Sequence, residues 1–438
     1  MGKSTIVILL NKIQKHHYVT LAAWISRGLQ AILQVLMLSI LTQILNVNDY
    51  AIFILISSLL VWFMLTDLGL GFALQNKISK LKAQGKDYEK FIANIFFNGF
   101  FIIFLFSLIS VILSYTLVPL YLEYYSNGRS YHYEFLLSAI LMVCTVVFGM
   151  VYKVWYATEK GYWSSIVPAL GTLIAFFLLQ ALLEYNVKSL LAIFAAYFLP
   201  LAVLPLIFYA KILIRLRKNI LINLEYITSL WKSAKSFLFF GLMSALVLNV
   251  DFFIASQFLP PEQIVQYHML LKIFTFALFL YSAYLMAIWP VFSEKIENRQ
   301  SQFVLEMLQI LMPVGLVFIF VFTLLLIFFG SHIYTLLIKN MDFKVSKEII
   351  FIFGLYFMIR VWTDTFAIVL QSGNNLNPLL KSVPIQAAIS ISLQITLVNY
   401  FQLYGLLSAL ILSYLLTVSW YLPFSSYKFL KQNSGHPQ

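Results

Sequence analysis

Residues 94–118, NIFFNGFFIIFLFSLISVILSYTLV, contain no charged side chain. As an α-helix this run is longer than the roughly 30 Å hydrocarbon core of a bilayer is thick, at about 1.5 Å of rise per residue. Similar runs recur near 18–45, 50–75, 135–157, 163–183, 189–210, 236–259, 264–289, 303–329, 348–372, 382–400 and 403–424. A backbone exposed to lipid must satisfy its own hydrogen bonds, which leaves helices or closed barrels. These runs are too long and too uniformly apolar for barrel strands, which alternate in polarity over about ten residues. The composition agrees: 61% of the 438 residues are hydrophobic and 11% are charged, against about 25% charged in a soluble domain. The expected fold class is an all-α polytopic membrane protein of twelve spans.

The net charge of +12 would suit nucleic acid on a soluble domain, but no such domain is present. Lysine and arginine fall in short loops between the apolar runs. With the N-terminus inside, Lys3, Lys12, Lys15, the 77–90 stretch, Lys160, the 211–235 stretch, Lys295, Arg299, Lys381, Lys428 and Lys431 are cytoplasmic. Only Arg129, Lys188, Lys339, Lys344 and Lys347 fall outside. That bias, about twenty against five, sets topology by the positive-inside rule and places both termini in the cytoplasm. The N-terminal stretch reads as an amphipathic lead-in to an uncleaved first span. Tyr18, Tyr50, Trp163, Trp231 and Trp289 stand near span ends as interfacial anchors. Cys144 is the one cysteine, so neither an internal disulfide nor a cysteine metal cluster is expected.

The long basic segment 211–235 divides the chain into an N-terminal set of six spans, 1–210, and a C-terminal set, 236–438. A weak internal repeat supports the division. LTQILNVNDYAIF (41–53) follows the first span of one half, and ASQFLPPEQIVQY (255–267) follows the first span of the other. Gln43 matches Gln257 and Leu45 matches Leu259. With an even number of spans per half, the repeat is parallel, about an axis along the membrane normal.

Seven ionisable residues lie within the spans: Arg27, Asp67, Lys153, Asp251, Lys272, Arg360 and Asp364. A charge at mid-bilayer costs about 2.5–3.5 kcal/mol even on the lenient insertion scale, so such groups face one another or water. Depth alone pairs Arg27 with Asp67, and Asp251 with Lys272. Arg360 and Asp364 are four apart and share one helix face. Lys153 is close enough to the cytoplasmic end to snorkel, and His268 lies one turn before Lys272. Two readings stand: structural pairs that lock helices, or a hydrated cavity between the halves lined by four cations and three acids. The slight positive excess suits phosphate or carboxylate, which accept charge-assisted bonds from arginine and lysine. The glycines of DLGLG after Asp67 allow a bend or a close helix approach, and Pro168, Pro200 and Pro313 allow kinks.

DLGLGFALQNKISK (67–80) resembles the signature region of the polysaccharide transporter family, the Wzx-type O-antigen flippases. These belong to the multidrug/oligosaccharidyl-lipid/polysaccharide exporter superfamily. LNVNDYAIF (45–53) resembles that family's first turn, with Ala51 where a glycine is usual. The resemblance covers the chain in layout and implies two six-helix bundles forming a V-shaped alternating-access transporter in the bacterial inner membrane. The implied substrate is an undecaprenyl-diphosphate-linked oligosaccharide. The implied energy source is an ion gradient, with H+ or Na+ as coupling ion and no bound cofactor. Carried over, the cavity would hold Arg27 and Asp67 in the first bundle and Asp251, Lys272, Arg360 and Asp364 in the second. Membrane lipids are expected partners, and a polysaccharide polymerase and a chain-length regulator are candidate ones. Two alternatives are weaker. A polymerase or ligase needs a large external loop with paired acids or an arginine cluster, and the loops at 119–134 and 330–347 are short and lack them. A drug exporter of the same superfamily usually lines its cavity with acids.

Overall fold

The computed structural model describes the backbone of residues 3–126, 129–158, 160–220, 225–337 and 345–433, and the side chains within these ranges except those of 3–23, 83, 123–126, 225–227, 232, 236, 240, 244, 248, 287, 290 and 331–337. The side chains of Lys3, Lys12, Lys15, Tyr18 and Lys232, together with Lys339, Lys344 and the 221–224 part of the basic segment, lie outside what is described. The described residues are helical throughout, without a strand. The helices are α1 (Lys3–Ile44), α2 (Val47–Ser58), α3 (Leu60–Phe63), α4 (Leu70–Ala83), α5 (Glu89–Ser126), α6 (His132–Phe148), α7 (Met150–Ala157) and α8 (Trp163–Glu184). They continue as α9 (Leu190–Arg215), α10 (Glu225–Phe258), α11 (Pro261–Glu297), α12 (Ser301–Leu337), α13 (Lys347–Ser372), α14 (Asn377–Leu416) and α15 (Val418–Gln432). Side-chain caps set several starts. Asn46 accepts from the Asp49 N–H at 2.8 Å, Ser189 from Ala192 at 3.4 Å, and Ser346 from Ile349 at 3.2 Å. Each satisfies a donor that the first helical turn leaves open.

Among the described residues, ten helical segments are long and apolar enough to cross a membrane, and eleven if the bent pair Ser233–Val247 and Asn249–Phe258 counts as one. Twelve separate spans are therefore not resolved as such. The tenth segment, Asn377–Gln432, is 56 residues long, about 84 Å if straight, far more than one crossing needs. It is not straight. Gln402 has φ 49° and ψ −128°, and a Cβ on Gly405 would press on the backbone of Leu397. Residues eight apart in a continuous helix are about 12 Å apart along the axis, so the chain reverses at Gln402.

The second expected span also differs. It does not run to residue 75; its helix tightens into a 3-10 turn at Met64–Asp67 and stops. Leu68 and Gly69 are both left-handed, at φ 52° and 74°, and α4 starts afresh at Leu70. The expected proline kinks do not interrupt their helices: α8, α9 and α12 run through Pro168, Pro200 and Pro313.

The chain forms two compact units, Met1–Leu242 and Met243–Gln438. In the first, α6 packs on α5 and α9, and α8 on α1 and α9. Arg129 ties the first turn to the start of α6, at 4.0 Å from Asp49 and 3.5 Å from Glu134. Arg215 meets Glu89 at 3.6 Å, and Asn94 donates to the Asn219 carbonyl at 3.1 Å. Tyr50, expected as an interfacial anchor, is fully buried, whereas Trp163 and Trp231 are exposed. In the second unit, α13 packs on α11, α12, α14 and α15. One end of that unit gathers the α11 start, the α13 start and the Gln402 turn. Gln263 reaches the Gln402 side chain at 2.5 Å and the Leu403 N–H at 3.2 Å, and Ser346 meets Tyr404 at 3.0 Å.

Candidate functional site

The first unit carries one polar centre, at the break in its second span. Asp67 closes the 3-10 turn and turns its carboxylate back onto the start of α4. Oδ1 accepts from the Gly69 N–H at 2.8 Å and Oδ2 from the Gly71 N–H at 3.2 Å. An acid at a helix N-terminus caps open donors and meets the positive end of the helix dipole. The two glycines have separate jobs. Gly69 has positive φ, and its Cα faces the backbone of Ala234 in α10, with no room for a Cβ. Gly71 lies between Asp67 and Lys153: a Cβ there would sit 2.8 Å from Oδ2 and 3.3 Å from the Lys153 Cγ.

Lys153, on α7, is half-buried beside this turn. Its Nζ lies 3.6 Å from the centroid of the Phe72 ring, and Phe72 stacks on Phe237 at 5.4 Å. Its field also acts on Asp67. Lys153 therefore does not snorkel away, because a cation over an aromatic face and near a carboxylate is already compensated. The expected Arg27–Asp67 pair does not form. Arg27 is exposed on α1, and among the described residues no ion pair joins it to Asp67.

The second unit carries a larger centre. Asp251, on α10, is 5% exposed and accepts a short hydrogen bond from the Tyr267 hydroxyl on α11. The Arg360 charge on α13 also acts on it. Arg360 sits over the Phe357 and Tyr356 rings, at 5.6 and 5.9 Å. It acts on Asp364, Tyr356 and Tyr414, and Tyr414 in turn makes polar contact with Gln386 and Tyr356. Arg360 and Asp364 thus share a face, as four-residue spacing requires, but no ion pair joins them among the described residues. Tyr281, one helix away, bonds Thr365 at 2.8 Å. Lys272 and His268 lie together on α11, each half-buried, with Lys272 acting on His268.

Tyr267, Tyr356, Tyr414 and Gln386 are absent from the residues expected from sequence, because only ionisable side chains were weighed there. Neutral polar side chains in an apolar span are the signal that would have found them. No cluster of three or more His, Cys, Asp or Glu fit for a metal occurs among the described residues.

No protein-family model matches the chain. A candidate O-antigen transporter of Salmonella typhi is 34% identical over 421 residues, covering 94% of this chain and 96% of that protein. A candidate O-antigen export protein of Yersinia pseudotuberculosis is 33% identical, with the same coverage. Another candidate O-antigen transporter, from Salmonella typhimurium, is 31% identical over 98% of this chain and all of its own length. Among solved structures, the inward closed form of the lipid II flippase MurJ matches with a TM-score of 0.72 at 16% identity, covering 95% of this chain and 89% of that one. An inward-facing multidrug MATE transporter matches with 0.73 at 12% identity, over 93% and 96%. These two share the fold, and the three sequence relatives, aligned nearly end to end, show the family. The chain is a multi-pass membrane protein and belongs to the family of O-antigen transporters.

Proposed function

We propose that this protein is a flippase that moves an undecaprenyl-diphosphate-linked oligosaccharide, an O-antigen or related repeat unit, across the bacterial inner membrane. The observation that carries it is the end-to-end kinship with candidate O-antigen transporters. The chemistry fits. A diphosphate cannot cross hydrocarbon unaided, and each unit carries buried charge within its helices, where only function or pairing sustains it. Arg360 is the strongest phosphate ligand among the candidates, since guanidinium offers paired donors to phosphate oxygens. Arg27, Asp67, Lys153, Asp251, Lys272, Arg360 and Asp364 are the residues we assign to the substrate and ion path, with H+ or Na+ as the coupling ion.

We read twelve spans, a count supported by the ten apolar segments, the bent segment of α10 and the reversal at Gln402. The proposed organisation is six spans in 1–210, the basic linker 211–235 and six spans in 236–438, as two bundles with both termini cytoplasmic. Phosphatase fusions after Gln402 and after Lys431 test this, with activity expected only for the first. A polymerase and a chain-length regulator are the proposed protein partners.

The functional test is a strain lacking the gene. It should lose surface polysaccharide and accumulate lipid-linked repeat units on the cytoplasmic leaflet, with both defects reversed by the intact gene. Normal surface polysaccharide, with a change in drug tolerance instead, would favour the exporter reading.

A further inference from the structure

The first arm of α14 carries Ser382, Gln386, Ser390 and Gln394, each four residues after the last. They form a stripe about 18 Å long that winds slowly round the helix. All four are at least nine-tenths buried, at 4, 3, 1 and 0% exposure. The other polar side chains of this arm satisfy themselves on their own backbone: Ser392 on Ala388, Thr396 on Ser392 and Asn399 on Ile395. The stripe does not. Gln394 donates to the Ser390 hydroxyl at 2.8 Å, but its Oε1 has no protein partner, nor have Ser382 Oγ and Gln386 Nε2. Other buried atoms of this unit are in the same state among the described residues, Asp251 Oδ1 on α10 and Arg360 Nε on α13 included. The stripe joins them through Gln386, which contacts Tyr414 beside Arg360.

Buried polar atoms without partners are rare and costly, and a group of them on three helices of one unit calls for a ligand. Its chemistry follows from the atoms. Asp251 Oδ1 and Gln394 Oε1 require donors, Gln386 Nε2 and Arg360 Nε require acceptors, and Ser382 Oγ accepts either. A metal cation would meet the amide and guanidinium donors unfavourably, and an anion would meet Asp251. A sugar is too large for the stripe and Asp251, which are at most 5% exposed. A small neutral molecule that both donates and accepts fits every atom, and buried water typically binds such groups with about three hydrogen bonds.

We propose that the second unit holds a file of buried water along the Ser382–Gln386–Ser390–Gln394 stripe, which hydrates Arg360 and Asp251 inside the helical bundle. The file covers more than half of a hydrocarbon core about 30 Å thick. It gives the buried carboxylate a route for proton exchange. This inference is independent of which lipid-linked sugar is carried.

Radiolytic hydroxyl-radical footprinting of the full chain in nanodiscs tests it, because radicals formed from bound water label the side chains that touch it. Tyr267, which matches Tyr209 in burial at 1 against 0% exposure, should be oxidised several-fold faster than Tyr209, which donates to the Phe96 carbonyl among apolar rings of the first unit, and Tyr356 and Tyr414 should be at least as fast as Tyr267. Equal rates in the wild-type protein would overturn the proposal without any variant. Gln386→Leu and Ser382→Val should each bring the Tyr414 and Tyr356 rates down toward that of Tyr209. Rates unchanged in both variants would overturn the role of the stripe.

Discussion

Each unit carries an aspartate within its apolar helices, and the two are held in different ways. Asp67 is answered by backbone: two N–H groups at a helix start take both of its oxygens. Asp251 takes its strongest bond from a side chain of another helix, the Tyr267 hydroxyl, with nearby backbone N–H groups and the Arg360 charge also acting on it. The first arrangement is local, within five residues of sequence. The second spans α10, α11 and α13 and exists only once those helices have packed. A carboxylate whose bonds are all backbone caps is bound to hold a fold. One that shares an arginine with a second acid and three tyrosines has interactions left to exchange with a ligand.

The largest expected effect is on the second centre. Arg360→Ala strands Asp251 and Asp364 without their cation, and breaking a buried charge cluster from one side costs about 3–5 kcal/mol. Thermal unfolding in detergent should show that loss, and surface polysaccharide should disappear. Arg360→Lys should restore stability better than transport, because an ammonium lacks the planar paired donors. Full transport by the lysine variant would reduce Arg360 to a charge holder.

Next comes the first centre's backbone. Gly69→Ala forces a side chain into a left-handed position against the Ala234 backbone, with an expected cost of about 1–3 kcal/mol, measurable as a lower unfolding temperature. A variant as stable as wild type would show that α10 is not packed against this turn.

Asp67 then separates cap from charge. The Asp67→Asn variant keeps an acceptor for the Gly69 N–H, and Asp67→Ala removes it at a cost of about 1 kcal/mol. If the carboxylate serves the transport path, both variants lose surface polysaccharide although only the alanine loses stability. Normal polysaccharide with Asp67→Asn at normal protein level would make Asp67 a cap alone, and would sharpen the contrast with Asp251.

The smallest effect is expected at the surface. Arg129→Ala removes the links to Asp49 and Glu134, and exposed ion pairs contribute about 0.2–1 kcal/mol. A larger drop in unfolding temperature would show that this loop contact organises the first unit more than either buried centre does.

Most of this architecture was legible because a bilayer imposes simple rules. Uncharged runs mark helices, but the span expected over 50–75 ran through DLGLG, whose glycines suggested a bend at most, where the helix in fact ends at Asp67. The pairings were less legible for a definite reason. Rise per residue gives the depth of a side chain, so Arg27 and Asp67 could be placed at one level. Depth does not give rotation about the helix axis or the identity of neighbouring helices, and those put Lys153, not Arg27, beside Asp67. The same gap hid the action of Arg360 on Asp251, more than a hundred residues away in sequence. The two last apolar runs were separable in sequence, yet their turn at Gln402 is so short that the helix reads as continuous. The neutral stripe of α14 was visible as four-residue spacing but carried no charge to draw attention to it.

The central claim is that the charged centre around Arg360 serves the movement of a diphosphate-linked lipid. Its most direct test is flipping of a fluorescent prenyl-diphosphate sugar by purified protein in sealed proteoliposomes, with and without a pH or sodium gradient. Wild-type protein should expose the lipid to an external quencher faster with a gradient, and Arg360→Ala protein of equal incorporation should not. Gradient-driven flipping by Arg360→Ala at the wild-type rate, or none by the wild type under either gradient, would contradict the account.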